Sequence, residues 1–302
     1  MTQEPFLVRI ARSWGWRAYA IPVLVVLTVI ILFDIFTAED GSSGSGNGTV
    51  ASQSGNSRPG PVPGEGYGDG YEGGQLPPGP AFATEPSGNF KDVTVAHPRV
   101  GEGRRNAIRY SVEIEDNIDV PSIGGERAFA ETVNSILADP RGWTADPDFS
   151  FEAVPSDQNP TIVVQLSATG TAHQLCGNTL GMETSCYLSG QQEGEPGRVV
   201  VSIARWVRGA LPFEGDLGLY RQYLINHEVG HGLGYAVHEP CPRDGGIAPI
   251  MMQQTLSVSN DELHEIDSSE VYQIDGKTCS VNGWPYPFGA DDDTAAPTQK
   301  AR

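Results

Sequence analysis

Basic residues are scarce in this chain. Only 19 of its 302 residues are Lys or Arg, against 38 Asp and Glu, which gives a formal charge of −19 at pH 7. No basic stripe follows the first twenty residues, so nucleic acid, which is bound through clustered Lys and Arg, is not an expected partner. The sequence also lacks a Gly period, heptads and self-similar blocks, which excludes collagen-like, coiled-coil and repeat architectures.

Apolar residues are rare between Gly41 and Asn89. There, 21 of 49 residues are Gly or Pro, and such a segment buries too little apolar surface to offset the entropy of ordering its backbone. We therefore expect residues 37–89 to form a disordered stalk, residues 90–288 to form one folded domain and residues 289–302 to form a flexible acidic tail. About 200 residues are ample for one mixed domain and tight for two.

A run of sixteen uncharged residues extends from Ala18 to Phe33. This length suits either a short transmembrane helix or the apolar region of a cleavable signal peptide. Cleavage after Ala38 would place Phe36 where a small side chain is needed, so we favour an uncleaved transmembrane signal anchor over residues 18–36. Arginines precede the run and acidic residues follow it. The positive-inside rule then leaves residues 1–17 in the cytoplasm and the rest of a single-pass membrane protein outside.

The four cysteines all follow that segment. An even number of cysteines in an oxidising compartment predicts two disulfides, for which three pairings exist. We favour Cys176–Cys186 with Cys241–Cys279, because the first pair brackets a loop rich in Gly and Thr and leaves the other two cysteines to each other. A Cys₄ zinc site is the disfavoured alternative, since no C-x₂-C or similar short spacing occurs.

Hydrophobic patterning predicts strands and one early helix in the folded domain. The helix is expected from Gly125 to Leu137, where apolar residues recur at helical spacing. On the second strand, Arg109, Ser111 and Glu113 are expected to share a solvent-exposed face. Strands with interspersed helices indicate a mixed sheet packed on helices, of the α+β or α/β class, and we favour α+β. The five expected strands are Val93–Ala96, Ile108–Ile114, Phe149–Val154, Thr161–Leu166 and Arg198–Ile203.

One short segment carries residues suited to catalysis. His227, Glu228 and His231 form the pattern H-E-x-x-H. Two imidazoles four residues apart on a helix lie on the same face, so both can bind one zinc ion. Glu228 is then placed to accept a proton from water activated by the metal. Asp216 is expected to cap the N-terminus of this helix.

The alternative interpretation is that both histidines are ordinary core residues of an amphipathic helix. Gly230 and Gly232 argue against it, because each costs about 1 kcal/mol of helix stability relative to Ala. A sequence selected for helix stability alone would avoid them. We expect these glycines to let another backbone, or a substrate, approach the helix closely.

A catalytic zinc site needs a third protein ligand. We favour His238, because Gly234 is expected to adopt the left-handed conformation that ends the helix and turns the chain back. Glu239 is a second candidate. Three more candidates, which we interpret rather as a solvated acidic helix face, are Glu262, His264 and Glu265.

The segment HEVGHGLGYAVH resembles the metzincin pattern H-E-x-x-H-x-x-G-x-x-H of the zincin superfamily of metallopeptidases, and Ile250–Met252 resembles its Met-turn. The domain as a whole is similar to an uncharacterised zincin-like family of membrane-anchored bacterial envelope proteins. This resemblance implies a zincin-like fold and a metal site made by His227, His231 and His238, but no substrate. Six signatures carry it: Arg109–Asp116, Leu137–Thr144, Tyr220–Gly234, His238–Pro242, Ala248–Thr255 and Trp284–Pro287.

The spacing departs from the metzincin pattern at one point. Three residues separate Gly234 from His238, where the pattern has two. A bulged turn can absorb the extra residue, but it can also displace His238 from the metal, because an extended residue spans about 3.3–3.6 Å.

Two functions therefore remain open. The first is a zinc-dependent endopeptidase that acts on peptides or proteins of the cell envelope, with Zn²⁺ as cofactor and Glu228 as general base. Tyr220 and Tyr235 are candidates for stabilising the oxyanion. The second is a catalytically inactive zincin-like module that binds or scaffolds envelope components.

Overall fold

The computed structural model describes residues 72–289, together with Thr28 and Pro297. The chain divides into two units at Gly55, and residues 72–289 belong to the second. Apart from Thr28, the expected cytoplasmic segment and membrane anchor lie outside the described residues, as do residues 37–71 of the expected stalk. No helix among the described residues is both long and apolar enough to cross a membrane.

A mixed sheet forms the centre of the described domain. Its strands are β1 (Phe90–Asp92), β2 (His97–Gly101), β3 (Asn106–Glu115), β4 (Phe149–Ala153), β5 (Ile162–Ser167), β6 (Cys186–Leu188) and β7 (Gly197–Ser202). They follow the order β2-β4-β3-β5-β7-β6, and β1 pairs with the second half of β3. The four inner strands β4, β3, β5 and β7 are parallel. The outer strands β2 and β6 are antiparallel to their neighbours, so β6 is an antiparallel edge strand.

Helices pack on this sheet and complete an α+β fold. They are α1 (Glu126–Ala138), α2 (Thr169–Cys176), α3 (Ile203–Arg208), α4 (Leu217–Gly232) and α5 (Asn260–Ile266). Helix α4 contacts α1, α3, β6 and β7. Every residue of α4 from Tyr223 to Gly230 is buried, so the surrounding core fixes the position of this part of the helix.

The predicted strands are confirmed for β3, β4, β5 and β7, and the predicted early helix is confirmed as α1. The strand expected at Val93–Ala96 is wrong, because these residues connect β1 to β2. After a last backbone bond from the Val93 N–H to the Val112 carbonyl at 2.9 Å, side chains take part in the hydrogen bonds. Asp92 accepts the Thr94 N–H at 2.8 Å, and the Thr94 hydroxyl accepts the Val112 N–H at 2.8 Å. Ser111, expected on an exposed face, is fully buried.

The folded domain begins earlier than the expected residue 90. The guanidinium of Arg205, which is fully buried, donates to the carbonyl oxygens of Gly74 at 2.6 Å and Gln75 at 3.3 Å. The Glu115 carboxylate accepts the N–H groups of Ser87 and Gly88. Residues 72–89 are thus fastened to the domain through backbone polar groups, which a composition argument based on apolar side chains does not detect.

Both favoured disulfides are present. Cys176–Cys186 ties the end of α2 to β6, and Cys241–Cys279 closes the C-terminal part of the domain. No cysteine is free. The second bond lies in a small apolar cluster with Met252, Leu256 and Leu263, which holds a segment that has little regular structure besides α5.

Candidate metal site

Helix α4 begins and ends as its sequence predicts. The Asp216 carboxylate caps its N-terminus by accepting the Leu219 N–H at 2.9 Å. At the other end Gly234 has φ +98°, a left-handed conformation that glycine adopts without strain. Its N–H bonds the His231 carbonyl at 3.1 Å, and the Tyr235 N–H bonds the Gly230 carbonyl at 3.0 Å. These two bonds form a Schellman motif, which turns the chain back towards the helix.

The returning chain brings His238 to His227 and His231. A ligand nitrogen from each of the three imidazoles lies within 4.8 Å of the other two. The extra residue relative to the metzincin spacing is absorbed in the loop, where Ala236 and Val237 are exposed. The three imidazoles predicted to bind a metal therefore form one cluster, close enough to hold a single ion.

Each imidazole has its Nδ1 atom occupied by an acceptor. His227 Nδ1 lies 2.9 Å from the Ile250 carbonyl oxygen, and His231 Nδ1 lies 2.8 Å from the Tyr235 carbonyl oxygen. His238 Nδ1 lies 3.2 Å from Oε2 of Glu270. Carbonyl and carboxylate oxygens only accept, so Nδ1 carries the proton and Nε2 keeps its lone pair. The Nε2 atom of His227 is buried without a hydrogen-bond partner among the described residues, as expected of a metal ligand.

Electrostatics favour the neutral state of the two imidazoles on α4, His227 and His231. Burial, together with the neighbouring His231 and His238, lowers the pKa of His227 well below its ordinary value. Burial and His238 lower the pKa of His231 to about 4. Because only a neutral imidazole offers a lone pair to a metal, these rings are in the binding state at pH 7.

A cleft of about 410 Å³ opens over the imidazoles. The Glu228 side chain lines it, and burial raises the pKa of this carboxyl to about 8. Strand β6 contributes Cys186 and Tyr187 to the lining, and Ser185 and Ser189 flank the strand there. Gln253 also lines the cleft.

Side chains occupy the space that the two helix glycines leave. A Cβ atom on Gly230 would lie 2.6 Å from Met251 Sδ and 2.7 Å from Trp143 Cζ2. A Cβ atom on Gly232 would lie 2.9 Å from Tyr187 Cε2. The expectation of a close backbone or substrate was therefore wrong, since the approaching groups are side chains. Met251, within the segment that resembles a Met-turn, is fully buried against the turn that carries His231.

The other candidate ligands lie elsewhere. Glu239 is buried but is not part of the cluster formed within residues 72–289. Glu262 accepts the hydroxyl of Ser257 at 2.6 Å, and His264 Nδ1 lies 2.9 Å from the Tyr272 carbonyl oxygen. Glu265 is exposed on α5. The interpretation of this run as a helix face rather than a ligand set is consistent with these positions.

Neither tyrosine considered for the oxyanion lines the cleft. The Tyr220 hydroxyl is buried 3.3 Å from Thr255 Oγ1. The Tyr235 ring packs on Trp143 with ring centroids 4.8 Å apart. Tyr187 is the tyrosine that does line it.

Residues 76–287 match the family described as protein of unknown function (DUF3152). This range covers more than half of the chain. The chain belongs to the DUF3152 family. Comparison with curated proteins and with solved structures gives no match. The DUF3152 match includes the whole sheet, all three clustered imidazoles and residues 76–89 of the N-terminal segment, but not Gly74 and Gln75, which Arg205 holds.

Sequence reasoning missed several residues of this DUF3152 site. Glu270 approaches His238 from 32 positions further along the chain, and no local spacing signals that contact. Tyr187 and Gln253 reach the cleft through tertiary packing. Only the disulfide prediction pointed towards β6, because Cys186 lies on it.

Proposed function

We propose that this chain is a zinc-dependent endopeptidase with a zincin-like active site, anchored at the outer face of the cell membrane by the signal anchor expected over residues 18–36. The observation that carries the proposal is the cluster of three imidazoles beside Glu228 in one cleft, with the buried Nε2 of His227 free of protein partners among the described residues. The two disulfides of the described domain agree with an extracytoplasmic location.

The donor set suits zinc. Zn²⁺ favours nitrogen ligands and four-coordinate geometry, and three protein ligands leave one position for water or substrate. His227, His231 and His238 would hold the ion. When bound, zinc would polarise the scissile carbonyl and lower the pKa of a water molecule, so that this water can lose a proton and attack the carbonyl.

Glu228 would move the proton. Its carboxyl lines the same cleft, directly after His227 in the chain. Burial raises its pKa to about 8, and a cation at the imidazoles would favour the carboxylate again. The carboxylate can then take a proton from the attacking water and deliver it to the leaving amine.

Strand β6 would align the substrate. It is an edge strand of the described sheet, where it pairs with β7 on one side. An extended peptide can pair with such an open edge through main-chain hydrogen bonds. Because Ser185, Tyr187 and Ser189 border the cleft, a peptide paired there would pass over the imidazoles.

Zinc content and Glu228→Gln together test this function. The full chain should bind about one zinc and cleave members of a proteome-derived peptide library, whereas Glu228→Gln should keep the zinc and lose roughly 10²–10⁴-fold in rate. Metal analysis and mass spectrometry of the library measure both. Glu265→Gln is the matched control, because this carboxylate is exposed and outside the cleft.

Two results would contradict the proposal. A folded wild-type chain without metal affinity would exclude a zinc enzyme. Zinc binding without cleavage of any library peptide would instead leave a metal-binding module that recognises envelope components.

A further inference from the structure

The three imidazoles are not held in the same way. His227 and His231 lie on the rigid helix α4 and bond main-chain carbonyls. His238 lies in an irregular loop beside two exposed residues, and its Nδ1 bonds the side chain of Glu270 at 3.2 Å. The orientation of the third ligand therefore depends on a side chain from a distant part of the sequence.

The segment that carries Glu270 is itself fixed. The Tyr272 hydroxyl accepts the Gln253 N–H at 2.9 Å, and the Tyr272 carbonyl lies 2.9 Å from His264 Nδ1. The Tyr272 ring is nearly parallel to that of His238, with centroids 6.5 Å apart. His238 also stacks on His227, with ring centroids 5.4 Å apart. Both rings thus neighbour the His238 ring, and Glu270 holds its Nδ1 atom.

We propose that Glu270 is a positioning residue that orients His238 towards the metal and so sets the metal affinity of the site. The inference rests on the proposed zinc site but not on peptidase activity. A carboxylate that accepts the Nδ1 proton fixes the tautomer and makes Nε2 a stronger donor. The loop with the extra residue provides no such constraint of its own. Glu270 thus fixes the orientation of His238, as helix α4 fixes the orientation of the other two ligands.

A purely structural role for Glu270 would have a different signature. Its side chain is 37 % exposed, and an ion pair at such a position contributes little to folding. Loss of the carboxylate should therefore leave the metal-free protein as stable as before. The effect should be confined to the metal-bound form.

Zinc affinity of the full chain, measured by competition with a chelator of known affinity, tests the proposal. Glu270→Ala should bind zinc about 10–100-fold more weakly than wild type. Glu270→Gln, which keeps an acceptor oxygen, should lie between them. Glu265→Ala should equal wild type, and the thermal midpoints of all metal-free variants should coincide.

A double-mutant cycle separates positioning from simple charge attraction. In a His238→Ala background, Glu270→Ala should cause no further loss of zinc affinity, because the ligand that Glu270 orients is gone. An equal loss in both backgrounds would show that the carboxylate attracts the ion directly and would overturn the proposal. Affinity of Glu270→Ala within about twofold of wild type would overturn it as well. If wild type binds no zinc, the proposed function and this inference both fail. If wild type binds zinc but cleaves no peptide, only the peptidase activity is excluded, and the zinc affinities of the variants still test the role of Glu270.

Discussion

Gly230 stands between the two helical histidines in sequence, and its missing side chain leaves room for two large neighbours. Met251 and Trp143 fill that room. Both are fully buried, and the Trp143 indole is further fixed by donating to the Asn226 carbonyl at 2.9 Å. Helix propensity alone favours Ala over Gly by about 1 kcal/mol. Packing acts in the opposite direction, because neither neighbour can move without disturbing the core.

We expect Gly230→Ala to destabilise the protein by about 1–3 kcal/mol, since the new methyl group overpacks a filled core. It should also weaken zinc binding, because Met251 and Trp143, which the new methyl group would displace, pack against the turn that carries His231. Denaturant unfolding and zinc competition measure the two effects.

Gly218→Ala on the same helix is the control. It lies exposed in the first turn, where the nearest atom to a new Cβ is Asp216 Oδ1 at 3.3 Å. Helix propensity should dominate there and stabilise the protein by up to about 1 kcal/mol. Equal stabilisation at both positions would show that the contacts of Gly230 impose no constraint.

At the level of single residues, local geometry decided what the sequence could predict. His227, Glu228 and His231 follow from helical spacing, and the return of His238 follows from the left-handed Gly234. Glu270 could not be predicted, because its contact with His238 depends on how the C-terminal segment folds over the loop.

Among the elements, sequence pattern separates those that were predicted from those that were missed. Strands β5 and β7 contain uninterrupted runs of β-branched residues within a buried parallel sheet. Strand β3 alternates apolar and polar residues, which is also a clear pattern. Strand β6 has three residues and helix α3 has six, too few for periodicity to appear. The edge strand that lines the cleft was thus the element that the sequence indicated least.

Strand β6 is short enough to need its disulfide. It pairs with β7 on one side, and Cys186 fastens it to the end of α2 across 10 residues of sequence. We expect the double variant Cys176→Ser, Cys186→Ser to lose about 3 kcal/mol of stability from loop-closure entropy. It should still bind zinc, because no ligand lies on β6, but its KM for peptides should rise as the edge strand loosens.

The other disulfide provides the comparison. Cys241–Cys279 spans 38 residues, so its removal should cost somewhat more stability, about 4 kcal/mol. Neither of its cysteines lines the cleft, so its removal should change the KM of the folded protein little. Thermal unfolding and peptide kinetics of both double variants measure these effects. An unchanged KM in the Cys176→Ser, Cys186→Ser variant would exclude a role for the Cys176–Cys186 disulfide in substrate alignment.

At the scale of the whole molecule, the domain boundary was the main error of the sequence-based description. Glycine and proline in residues 72–89 resemble those of a linker, yet this segment completes hydrogen bonds of two buried charged groups, Arg205 and Glu115. A buried charge without partners is costly. The segment is therefore part of the folded domain even though it adds few apolar side chains.

Glu115 joins three parts of the chain at one carboxylate. Its Oε1 accepts the N–H groups of Ser87 and Gly88 and the Thr171 hydroxyl, and its Oε2 accepts the Ala168 N–H at 2.7 Å. Burial by itself raises the pKa of Glu115, but these hydrogen bonds together outweigh burial and hold the pKa below its ordinary value. The N-terminal segment, the central strand β3 and the start of α2 thus depend on the ionised form.

We expect Glu115→Gln to lose about 2–3 kcal/mol of stability at pH 7, because the new NH₂ group faces another donor, the Ala168 N–H. The loss should depend on pH with a definite sign. A depressed folded-state pKa gives stability that is complete above the unfolded value of about 4.3 and that disappears as pH falls through the folded value. The stability advantage of wild type over Glu115→Gln should therefore shrink below about pH 4.

Urea unfolding at stepped pH measures this difference in stability. Glu113→Gln is the control, because Glu113 is a partly exposed carboxylate on the same strand. A difference between Glu115→Gln and wild type that stays constant from pH 7 to pH 3 would mean that the ionised carboxylate does not fasten the N-terminal segment.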